Sequence, residues 1–132
     1  MPSAYDIYDP DCPSRQLLTL IAQRWSVLVL HALDEGVSRP ADLGRRIGGI
    51  SQKMLTQTLR DLIRAGLVDR TPYPEVPPRV EYTLTDAGRE IAPLLAAICD
   101  WAEKHTATAI SVAGTVEPPR RREVLGSPYD HP

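Results

Sequence analysis

Gln52, Lys53, Thr56, Gln57, Arg60 and Arg64 recur at spacings that put them on one side of a helix, with Ser51 just ahead of them. Their chemistry is hydrogen bonding and charge, not bond making. A glutamine amide can pair with two edge atoms of adenine, and arginine or lysine with those of guanine. Threonine offers thymine a hydroxyl and a methyl group. A polar outer face is also what any exposed helix carries, so residue type alone does not decide. Two features set this face apart. It is nearly free of acid, and it lies with Arg45, Arg46 and Arg79 in a basic stretch. Residues 39–79 hold eight basic and four acidic side chains, although the chain as a whole has a formal net charge of −2. A nucleic acid meets the distribution of charge, not its sum.

Other chemistry is poorly supplied. There is no Ser/His/Asp or Cys/His arrangement at useful positions, no phosphate loop and no pair of carboxylates on one face, so we expect neither an enzyme nor a cofactor. Cys12 and Cys99 lie near opposite ends, with no C-x-x-C and no histidine at ligand spacing. They make neither a zinc site nor a disulfide framework. His31 reads as a half-buried helix residue, and His105 and His131 as solvated. No apolar run approaches a membrane span. The N-terminus lacks the basic region and apolar run of a secretory signal, so a cytoplasmic location is expected by default.

The elements that must hold the polar face follow from hydrophobic spacing. Residues 1–13, with three Asp and three Pro, read as an extended arm. Ser14 is a possible cap for a first helix carrying Leu17, Leu18, Ile21 and Ala22. A second helix from about Trp25 to Asp34 is apolar on most sides and belongs at the centre of the core, ending before Gly36. Residues 37–39 are a short strand or a loop. A short helix, 41–47, turns Leu43 and Ile47 inward. Gly48-Gly49 makes a turn, and Ser51 caps the next helix, whose Leu55, Leu59, Leu62 and Ile63 face the core. Residues 67–71 and 80–84 alternate as two strands joined by the proline-stiffened segment 73–78. Thr85 or Asp86 starts a last helix, with an apolar stripe that Pro93 bends or truncates. We divide the chain into an arm (1–13), a domain (14–106) and a weakly ordered tail (107–132), in which Arg120-Arg121-Arg122 is flanked by acids and reads as solvated.

This order of elements, mainly α with a small β-hairpin, is that of a winged helix-turn-helix, whose second helix lies in the major groove. On that basis Ser51, Gln52, Lys53, Thr56, Gln57 and Arg60 would meet bases, and Arg45, Arg46 and Arg79 the DNA backbone. The alternative is a winged helix that docks a protein partner. Such a face should carry an aromatic or aliphatic anchor, and this one carries none.

The chain also resembles the HxlR family of bacterial winged helix-turn-helix transcription regulators, relatives of the MarR group. The resemblance spans about residues 12–105. It is carried by Cys12-Pro13, Arg24-Trp25, the string GISQKMLT (49–56), LRDL (59–62), GLV (66–68), YPEVPPRVEYTLT (73–85), Gly88 and Cys99-Asp100-Trp101. The family usually has an aromatic residue where Pro40 stands here. The resemblance implies a regulator that binds double-stranded DNA at a palindromic or near-palindromic operator as a homodimer. Its two recognition helices would lie roughly 34–36 Å apart. It implies that the terminal helices form the dimer interface, here through Leu17, Leu20, Ile21, Leu94, Leu95, Ile98 and Trp101. It further implies an oxidant or small-molecule inducer, with Cys12 at the position of a redox-sensing cysteine. A sensing thiol must be exposed and readily ionised; otherwise Cys12 is a small apolar anchor for the arm. Cys99, on the apolar stripe, reads as inert and buried.

Overall fold

The computed structural model describes residues 5–113, with five helices and one hairpin. The helices are α1 (Pro13–Ile21), α2 (Arg24–Asp34), α3 (Pro40–Arg46), α4 (Gln52–Arg64) and α5 (Asp86–Ala113). Strands β1 (Val68–Tyr73) and β2 (Arg79–Leu84) separate α4 from α5. The core forms around α2, which packs on α4 and α5. Val29, Leu30, Leu43 and Leu62 are fully sealed from solvent, and Leu55, Leu59, Val68, Ala92 and Leu95 close the same cluster. Burial of this set is the main force holding the helices together.

Local chemistry sets the helix ends. The α2 and α4 helices each finish on a glycine with positive φ, Gly36 at 98° and Gly66 at 78°. After α4 the Gly66 amide donates to the Ile63 carbonyl and the Leu67 amide to the Leu62 carbonyl, both at 3.0 Å. This Schellman turn satisfies otherwise orphaned carbonyls and sends Leu67 back into the core. Thr85 caps α5: its hydroxyl accepts from the Gly88 amide at 3.1 Å and donates to the Gly66 carbonyl at 2.6 Å.

The strands pair antiparallel from Val68↔Leu84 to Tyr73↔Arg79. They run further toward the tip than expected, because Pro72 needs no ladder partner at the edge of a two-stranded sheet. Residues 37–39 are loop, yet the Tyr82 amide donates to the Ser38 carbonyl at 2.8 Å and ties that loop to β2.

Several expectations are corrected. The first helix starts at Pro13, with Cys12 rather than Ser14 in the capping position, because proline's missing N–H suits the first turn. The described part of the arm is not extended. Asp6 and Asp9 accept from the amides of Tyr8 and Asp11, and Arg15 donates to the carbonyls of Ile7 and Tyr8, which fold it into turns. Pro93 does not truncate α5, which runs unbroken past it and past residue 106 to Ala113. The rest of the expected tail, including Arg120-Arg121-Arg122, lies outside the described residues.

Candidate nucleic-acid interface

The outer face of α4 is mounted at both ends. Ser51 accepts the Met54 amide at 3.0 Å and fixes the first turn; the Gly66 turn fixes the last. Leu55, Leu59 and Leu62 are buried, and so is Thr58, a polar residue that hydrophobic spacing does not flag. Opposite them Gln52, Lys53, Thr56, Gln57, Arg60 and Arg64 are exposed, and Ser51 is half-buried. The structure therefore brings the expected reading residues onto one solvent-facing surface. Within it, Gln57 is already engaged, its amide donating to Asp61 at 2.9 Å.

The three expected backbone cations each hold an acid. Arg45 pairs with Asp42. Arg46 grips Glu35 through two bonds of 3.0 Å, joining the end of α2 to α3. The hydrogen bond from Arg46 holds the Glu35 carboxyl below the usual carboxylate range. Arg79 is the most committed. It bonds Glu81 at 2.6 Å and Glu75 at 3.0 Å, and its guanidinium lies 4.0 Å from the centre of the Tyr73 ring. The wing tip beyond it is apolar, with Val76 fully exposed.

On the far side lie the residues assigned to an interface between copies. Leu17, Leu94, Ile98 and Trp101 are exposed, Trp101 by 61%, and Leu20 and Ile21 are half-buried. Leu95 is not among them. It is only 5% exposed and belongs to the chain's own core, because each helical step turns the side chain by about 100° away from Leu94. Leu18, exposed on α1, joins the apolar surface instead. Its place at i+1 from Leu17 on a short helix was the available signal.

Neither cysteine is presented for reaction. Cys12 is only 6% exposed, the state of the apolar anchor and not that of an open thiol. Cys99 is half-buried, less enclosed than expected. Burial, reinforced by the Glu103 carboxylate, raises its thiol's pKa. No group of three or more potential metal ligands occurs among the described residues, and no single described helix is long and apolar enough to cross a membrane.

Residues 20–109 match the family model described as HxlR-like helix-turn-helix. The HTH-type transcriptional regulator YtfH of Escherichia coli (strain K12) is 44% identical over 107 residues, which covers 81% of this chain and 85% of that protein. The solved structure of ytfH from Salmonella typhimurium, named as a transcriptional regulator, superposes with a TM-score of 0.78 at 40% identity. It covers 83% of this chain and 98% of its own. The redox regulator HypR in its oxidized form superposes with a TM-score of 0.65 at 35% identity, covering 70% and 96%.

Proposed function

This chain belongs to the HxlR-like helix-turn-helix family of transcription regulators, and from that premise we propose that it binds a palindromic or near-palindromic operator as a homodimer. The observation that carries the proposal is the outer face of α4, where Gln52, Lys53, Thr56 and Arg60 stand exposed on a helix capped at Ser51. These side chains supply hydrogen-bond patterns that differ between base pairs. Gln57 joins them by giving up Asp61. Arg45 and Arg46 contact the backbone by exchanging a carboxylate for a phosphate. The second copy is supported by the apolar surface of Leu17, Leu18, Leu94, Ile98 and Trp101, which is unusual for a protein that stays alone.

The test is fluorescence anisotropy with DNA from directly upstream of the protein's own gene, against scrambled DNA, across a salt series. A marked preference for the upstream DNA that persists at higher salt is expected. Equal, weak and salt-labile binding to both would overturn operator recognition at that site.

A second reading concerns the signal. The likeness to HypR, itself named a redox regulator, favours an oxidant acting through Cys12. The burial of Cys12 adds a condition: the turns of residues 5–11 must lift before its sulfur can be reached. Timed thiol labelling distinguishes the cases. A sensing Cys12 reacts in the native protein far faster than global unfolding allows, and the Cys12→Ser variant loses any oxidant effect on DNA binding. Labelling only on unfolding would leave Cys12 as an anchor.

A further inference from the structure

We propose that Arg39 is the cation that takes a DNA phosphate at the mouth of the trough between α3 and the wing, while Arg79 holds the wing in shape. This rests on the DNA-binding reading above and adds a contact to it.

The trough is a hollow of about 560 Å³, with Arg39, Pro40 and Ala41 on one side and Glu75, Val76 and Arg79 of the wing on the other. Pro40 and Ala41 also line a second hollow of about 550 Å³, walled by Ser51, Gln52 and Thr56. The surface carrying Arg39 is thus continuous with the first turns of the recognition helix.

A phosphate is drawn to a cation that has not been neutralised. Arg45 holds Asp42, Arg46 holds Glu35, and Arg79 holds both Glu75 and Glu81. With one positive and two negative charges, the Arg79 cluster repels a phosphate. Arg39 is exposed and has no ion pair among the described residues.

The mount of Arg39 is stiff. Its carbonyl accepts the Leu43 amide at 2.9 Å, and the carbonyl of Ser38 before it accepts the Tyr82 amide at 2.8 Å. Pro40, at the start of α3, fixes the backbone on its other side. A phosphate held by Arg39 is therefore registered against the short helix and the wing together. Arg79, clamped between two acids and stacked on Tyr73, is a positioning residue that keeps the wing at the correct distance.

The experiment is the salt dependence of DNA binding by the full chain, for Arg39→Gln, Arg39→Lys and Arg79→Gln. Losing one phosphate contact makes the slope of log affinity against log salt shallower by about 0.9. Arg39→Gln shows that change, with an equal fold loss on every operator variant and an unaltered thermal midpoint. Arg39→Lys restores the slope. Arg79→Gln weakens binding while the slope stays at the wild-type value. A wild-type slope in Arg39→Gln, or a shallower one in Arg79→Gln, overturns the assignment. If Arg79→Gln fails to fold, the two Arg39 variants decide alone. Slopes can be read on any duplex the protein binds, so the loss of operator preference would strike the regulator reading and leave this one to stand or fall separately. Wild-type binding that ignores salt would end both.

Discussion

Gln52 and Gln57 carry the same amide on the same helix, yet only Gln52 has it uncommitted among the described residues. Gln57 donates to Asp61 and must break that bond to pair with a base. Gln52→Ala should therefore lower discrimination at one operator position by about 1–3 kcal/mol. Gln57→Ala should cost less, as measured by anisotropy on operators changed one base pair at a time. A larger loss for Gln57→Ala would reverse their order. That partnership was legible, since Gln57 and Asp61 are four apart on a helix, and so was Arg45 with Asp42. Arg46 with Glu35 was not, because eleven residues separate them and only the corner between α2 and α3 joins them. This pair also carries a pH dependence. Its hydrogen bond lowers the folded-state pKa of Glu35, so its stabilisation is present at neutral pH and disappears as pH falls through that lowered value. The thermal midpoint of the wild type should exceed that of Glu35→Gln slightly at pH 7 and match it in strong acid. The difference is small because the pair is exposed.

At the scale of elements, two residues control where α4 and α5 sit. Ser51→Ala removes the α4 cap and should cost about 1 kcal/mol in chemical denaturation. Gly88 matters for space, not for φ. A methyl group there would lie 2.2 Å from the Leu67 carbonyl oxygen, so α5 could not rest against the turn that ends α4. Gly88→Ala should cost about 1–3 kcal/mol, and a fully stable variant would contradict this close packing. Most elements were legible from spacing: the cap at Ser51, the stop at Gly66 and the hairpin on either side of the prolines. The reach of α5 was not. After Thr106 the large apolar residues give out and no stripe marks the helix, but alanine's helix propensity needs none. The folded arm was missed for a different reason: the carbonyls that Arg15 bonds leave no pattern in side-chain hydropathy.

For the whole molecule, the exposed apolar surface marks the far side from the α4 face. The sequence showed the stripe on α5 but did not separate Leu94, which faces out, from Leu95, which faces in. Ile98→Asp, on the outward side, should yield a monomer in sedimentation with unchanged far-ultraviolet circular dichroism, and operator affinity should fall by orders of magnitude. A dimer that persisted would move the interface elsewhere. The Thr85 cap carries a mechanical consequence. Its hydroxyl and amide clasp the Gly66 and Leu67 carbonyls at the tail of α4, while the same hydroxyl holds the Gly88 amide at the head of α5. Such a clasp works as a fixed gear between two shafts. The long α5, roughly 42 Å at 1.5 Å per residue, is the lever arm. A few degrees of swing where two such arms cross would be delivered to the grooves as a change in the pitch of α4. A signal could then loosen the grip on DNA without touching any residue that reads it.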